Sequence, residues 1–155
     1  MYYKDLSPYR YFKTKEPAVN IGWLDGHHAY ETGPVPEEFI DKLWKYMRYP
    51  VEVARGFHVC ELCPRETAGK SIHIEYKNTR RTMGYYEIRV FGGHNTYAFP
   101  SLAFHYILEH HYRPPQEFID AVLEQDCDTQ NYYERILKYN DGYDFWFTAD
   151  RTLDE

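Results

Sequence analysis

A chain of 155 residues with a net charge of -6 suits one domain and is long enough to bury a core without staples. Its densest basic cluster is Arg80-Arg81, which disfavours binding nucleic acid through phosphate neutralisation. No apolar run approaches the length that spans a bilayer, and Met1 to Asp5 carries no apolar signal region, so the expectation is a soluble, cytoplasmic protein with no membrane partner.

Aromatic residues make up 19% of the chain, led by 17 tyrosines. Each tyrosine joins a large apolar body to a polar tip, so the low mean hydropathy of -0.73 understates what the chain can bury. The three cysteines are not spread as a secreted disulfide framework would be, which fits a reducing compartment.

In chain order, residues 1 to 17 are irregular but too apolar for a free tail. Ala18 to Leu24 reads as a short strand, and Asp25-Gly26 turns the chain. A helix is predicted from about Pro36 to Met47, with Pro36 at its first position, Glu37 and Glu38 at its positive end, and Phe39, Ile40, Leu43, Trp44 and Met47 as its core stripe. Ser71 to Tyr76 and Tyr85 to Phe91 alternate as strands and are expected to pair, with Asn78-Thr79-Arg80-Arg81 as an exposed loop between them. Gly92-Gly93 breaks the second strand, and Tyr97-Ala98-Phe99 resumes it. Pro100 to His111 is apolar nearly all round, the mark of a buried helix. Two further helices follow, about Pro115 to Glu124 and about Thr129 to Tyr139, the last with Asp128 as its candidate N-cap. Tyr143 to Thr148 reads as a last strand or an aromatic flap. The fold class is α+β: one domain over 1–155, a small antiparallel sheet packed against three to four helices.

The chemistry concentrates in Gly56-Phe57-His58-Val59-Cys60-Glu61-Leu62-Cys63-Pro64. A Cys-x-x-Cys turn aims two sulfurs at one point, and an extended approach places His58 on the same face as Cys60. Soft and borderline donors converging in this way suit zinc. The alternatives are a redox pair, which lacks its βαβ setting here, and two buried thiols. A fourth ligand can come from His28, His94, His105, His110 or His111. His105 and His110 are the candidates on the buried helix, but five residues on a regular helix set them about 140° apart, so only one is expected to complete the site. The Asp25-Gly26-His27-His28 loop reads as a turn with exposed imidazoles. Glu87 and Arg89 share a strand face.

Several blocks together carry a resemblance: Asp5-Leu6-Ser7-Pro8-Tyr9, Asn20-Ile21-Gly22-Trp23-Leu24-Asp25, the His58-x-Cys60-x-x-Cys63 segment, Glu87-Ile88-Arg89-Val90, and His105-Tyr106 followed by His110-x-Tyr112-x-Pro114-Pro115-x-x-Phe118. Their order resembles a family of small uncharacterised bacterial proteins, over about residues 5 to 123, with the stretch from about 128 to 155 outside it. The resemblance implies that His28, His58, Cys60, Cys63, His105 and His110 fall in recurring blocks, and that the Cys loop and second helix share a site. It implies no activity. The zinc-deaminase and His-Glu-x-x-His patterns, a phosphate loop and a serine elbow are all missing. The expected function is therefore a small zinc-binding protein with a structural metal, acting as an interaction or regulatory module with an unidentified protein partner. The alternative is a zinc-dependent enzyme in which His58, Cys60 and Cys63 leave one open metal position for water.

Overall fold

The computed structural model describes residues 1–12, 16–54, 56–143 and 151–152. In chain order its elements are β1 (Val19–Asn20), α1 (Glu37–Tyr46), β2 (Ile72–Tyr76), β3 (Thr79–Met83), β4 (Glu87–Phe91), β5 (Thr96–Pro100), α2 (Leu102–His110), α3 (Gln116–Glu124), α4 (Gln130–Tyr139) and β6 (Arg151–Thr152). One sheet has the order β1-β5-β4 and the other β2-β3-β6. All pairings are antiparallel except β1 with β5. The fold is α+β, as the sequence pattern implies.

Strand pairing departs from expectation. Ile72–Tyr76 pairs with Thr79–Met83, and Glu87–Phe91 pairs with Thr96–Pro100 rather than with Ile72–Tyr76. Each of these four strands pairs with one adjacent to it in sequence, where loop closure costs little. The first hairpin turns on Lys77 and Asn78, whose φ values of 47° and 62° are the paired positive values that a tight, twist-matched hairpin needs. Only Asn78 of the expected Asn78–Arg81 loop is in that turn. Arg81 lies on β3 and is buried, its guanidinium 4.1 Å from the Trp44 ring centroid and bonded to the Trp44 carbonyl.

The expected strand over Ala18–Leu24 is regular only at Val19–Asn20, because Gly22 turns away at φ 81°. A Cβ there would lie 2.6 Å from that of Ala103, so the glycine lets this segment close onto α2. Residues 3–9 run beside it, through Tyr3 N–H to Trp23 O at 3.1 Å and Tyr9 N–H to Ala18 O at 2.9 Å. Pro36 caps α1 from outside rather than filling its first position, and Thr129, not Asp128, caps α4 by accepting from Tyr132 N–H at 3.2 Å. The strand or flap expected over Tyr143 to Thr148 lies, beyond Tyr143, outside the described residues.

α2 packs at the centre, with Leu102 through Ile107 all buried. Phe118 of α3 stacks on Phe99 of β5 at 5.2 Å between centroids and meets Phe39 of α1 edge-on at 6.0 Å. A charged pair sits inside this apolar frame. Arg89 and Glu87 are 0% and 4% exposed, joined by Arg89 Nη1 to Glu87 Oε1 at 2.9 Å. Tyr9 donates to the other Glu87 oxygen at 3.1 Å and lays its ring 4.7 Å from the guanidinium. Arg89→Met is expected to cost about 3–5 kcal/mol in urea denaturation, because it strands a buried carboxylate. A loss below about 1 kcal/mol would show that Glu87 does without its cation.

Candidate metal centre

The Cys segment has little regular backbone of its own. It is held at His58, whose N–H donates to Gly84 O at 2.7 Å. Gly84 is at φ 100°, and a side chain there would collide with the His58 carbonyl. Gly84 N–H in turn donates to the buried Ser101 hydroxyl at 2.8 Å, at the N-terminus of α2. One glycine therefore joins the Cys segment to the helix beneath it.

Beyond that junction the chain turns at Glu61 and Leu62 and presents both sulfurs to the C-terminal turn of α2. Cys60 Sγ is 3.4 Å from His110 Nε2. Cys63 Sγ is 3.3 Å from His105 Nε2 and 3.6 Å from His110 Nε2. All four ligand atoms lie within 4.8 Å of one another. This is a Cys2His2 cluster able to coordinate a metal ion.

Two histidines five apart meet because α2 does not end as a regular helix. Tyr112 N–H bonds to Tyr106 O at 3.1 Å, and His111, just before it, takes the left-handed conformation at φ 57°. A bond from residue 112 to 106, across a left-handed residue, closes a wider turn than the α type. At this helix end the ring centroids of His105 and His110 are 5.0 Å apart. The end is pinned from outside: Tyr30 Oη donates to His110 O at 3.0 Å and Gly33 N–H to His111 O at 3.1 Å. These two bonds also satisfy carbonyls that a helix end leaves open.

His58 is not in the cluster. Residues 57–60 belong to no strand, so nothing enforces two-residue alternation, and the backbone contact with Gly84 fixes the residue instead. Its ring faces Tyr11, with Nε2 3.5 Å from the hydroxyl. His28 is also elsewhere: Asp25 holds its Nδ1 at 2.8 Å, and it stacks on Tyr2 at 3.8 Å. His94 and His111 are exposed, and Cys127 is buried apart from the cluster among Tyr46, Tyr49 and Tyr132. Gly84, Ser101 and Tyr30 go unnoticed in the sequence, where the one hint is a glycine after a strand.

Burial pushes the Cys60 thiol up to about 12, while the N–H groups of Leu62 and Cys63 pull it the other way by pointing at the sulfur. A bound cation would complete what those two dipoles begin, and it would expel a proton from Cys60 on binding. Burial, then the neighbouring His110, lowers His105 to about 4; burial also lowers His110. Both imidazoles are therefore neutral near pH 7, the state that binds metals.

Residues 1–123 match a family model described as a domain of unknown function (DUF7919), which ends at the close of α3 and leaves α4 outside. No curated protein matches the chain, and no solved structure does.

Gly84→Ala is expected to weaken divalent-metal affinity about 10- to 100-fold, read by competition with a chromophoric chelator, because it displaces the junction that positions the sulfurs. An unchanged affinity would show that the loop is placed without Gly84. The metal-free chain should also be acid-sensitive. With His105 lowered to about 4 from its ordinary 6.5, the unfolded chain takes up a proton in this window that the folded one refuses. Melting temperature should therefore fall as pH drops from about 6.5 to about 4, and His105→Gln should flatten that slope.

Proposed function

Because the chain belongs to the DUF7919 family, whose description assigns no activity, the site itself carries the reading: we propose an interaction module built around a structural zinc ion held by Cys60, Cys63, His105 and His110. The observation that carries it is the spacing of the donors. Zinc bonds of about 2.3 Å to sulfur and about 2.0 Å to nitrogen set neighbouring sulfur and nitrogen about 3.5 Å apart in a tetrahedron. Three of the four sulfur–nitrogen separations here are 3.3, 3.4 and 3.6 Å, and all four ligand atoms lie within 4.8 Å of one another. Four protein donors fill the tetrahedron and leave no position for a water, which supports a structural metal over a hydrolytic one.

The role follows from what the metal would clamp. It would tie the Cys loop, which has few backbone bonds, to the buried helix α2. The loop carries Phe57 and Val59, exposed at 51% and 41%. Rigid display of apolar side chains lowers the entropic cost of binding a partner, which is why an interaction role suits this centre. The net charge of -6 points the same way, towards a basic partner.

Protein purified without an affinity tag or added metal should contain about one zinc per chain by elemental analysis. Cys60→Ser and Cys63→Ser should each lose the metal and lower the melting temperature by about 10 °C or more, since structural zinc contributes directly to folding. Cys127→Ala should keep the metal and lose only about 1 kcal/mol, the cost of a small buried void. Metal-free protein whose melting temperature ignores both cysteine substitutions would end the zinc reading.

A further inference from the structure

A cavity of about 280 Å³ opens beside the Cys loop, and none of the four metal donors lines it. That is near the lower end of the volumes, about 300–1,000 Å³, that hold small ligands. Its walls include Tyr11, Trp23, Phe57 and Tyr85, and three carboxylates, Glu52, Glu61 and Glu87, also line it, Glu61 with its Oε2 3.4 Å from the Met1 ammonium. No lysine or arginine lines it among the described residues.

Glu52 and Glu87 are brought side by side by one backbone pair. Val51 N–H donates to Glu87 O at 2.8 Å, and Glu87 N–H returns a bond to Val51 O at 2.9 Å. Glu52 then follows in the left-handed conformation at φ 50°, a costly state for a residue with a side chain. Arg89, behind Glu87, bonds to that carboxylate at 2.9 Å. The Glu52 carboxylate feels the same guanidinium but makes no hydrogen bond or ion pair among the described residues. Among the described residues, Glu52 and Glu87 thus share one cation while Glu61 holds the Met1 ammonium, so one carboxylate of the cavity has no cation of its own. Burial holds the Glu52 carboxyl above its ordinary range, a penalty that an incoming cation would relieve.

The mouth is apolar. Among the described residues, Met1, Phe12, Phe57 and Val59 are exposed at 50%, 39%, 51% and 41%, and all four border this cavity. Scattered exposed apolar side chains need no explanation, but four around one opening mark a contact surface. Aromatic faces with an uncompensated carboxylate select an organic cation. An apolar rim extends recognition beyond what a free amine could fill.

We propose that this cavity receives a lysine or arginine side chain of a partner protein, with the apolar neighbours of that side chain seated on Phe12, Phe57 and Val59. The assignment rests on the reading of the chain as an interaction module, and does not depend on which metal it holds.

The test is calorimetric titration of the full chain with acetyl-Gly-Leu-Arg-Leu-Gly-amide, its lysine, citrulline and glutamate counterparts, and free arginine amide. The arginine and lysine peptides should saturate the protein. The citrulline and glutamate peptides, and arginine amide alone, should each bind weaker by about tenfold or more. Glu52→Gln should weaken the arginine peptide by about fivefold or more at an unchanged melting temperature. Phe57→Ser should weaken the peptide and leave arginine amide unaffected. Equal binding of the arginine and citrulline peptides, an inert Glu52→Gln, or no binding by any peptide would overturn the proposal. Arginine amide binding as tightly as the peptide would overturn the protein partner in favour of a small cation. Zinc content measured on the same sample separates the two readings. A zinc-free chain that binds the arginine peptide refutes the zinc centre alone, and a zinc-loaded chain that ignores every peptide refutes this cavity assignment.

Discussion

The contact on which the rest of this molecule depends is the meeting of Cys60 and Cys63 with His105 and His110. The stretch between Gly56 and Gly69 has no helix or strand, and few backbone bonds tie it to anything else. Its position is set at two places, the His58–Gly84 junction and the four ligand atoms. Those two places lie on opposite ends of α2, one near Ser101 and one at His110. The loop is therefore stretched along the helix, and one wall of the aromatic cavity is stretched with it.

The tyrosine-rich composition finds its physical use in the same frame. Tyrosine hydroxyls act as struts between distant backbone segments: Tyr30 reaches His110 O, Tyr86 reaches Met47 O at 3.2 Å, and Tyr132 reaches Arg89 O at 2.7 Å. Others end on carboxylates, as Tyr112 does on Asp5 at 2.8 Å and Tyr97 on Glu117 at 3.0 Å. A phenylalanine in these places would fill the same space but leave buried acceptors open. The 17 tyrosines thus let a chain of low mean hydropathy build a core while bonding many of the polar groups that the core buries.

How much of this was legible in the sequence varies with the range of the forces involved. Helices came through because their apolar spacing is local: α1 and α3 lie within the predicted ranges, and the all-round apolar character of α2 matches its burial. The α+β class followed from the same patterns. Strand partners did not, because alternation marks a strand without naming its neighbour, and Lys77-Asn78 carries a tight-turn preference only weakly. In the site, two adjacent cysteines mark a pair of sulfurs directly. The approach of His105 to His110 is hidden, since it comes at a helix end that closes over a left-handed residue and is held by Tyr30 and Gly33, some eighty residues away in the chain. His58 misled because period-two reasoning holds only where a sheet ladder enforces it.

The spacing of the ligand pairs along the chain has a consequence for the order of assembly. Cys60 and His110 are separated by 50 residues, and Cys63 and His105 by 42. Both hairpins, β2–β3 and β4–β5, lie wholly inside that span. Each hairpin closes over a few residues, so it can form while the ends at Cys60 and His110 are still far apart. Every hairpin formed draws those ends together and shortens the loop that remains to be closed. The cluster is thus the last stitch of an assembly whose interior is already folded, and an ion captured there would lock a fold rather than nucleate one.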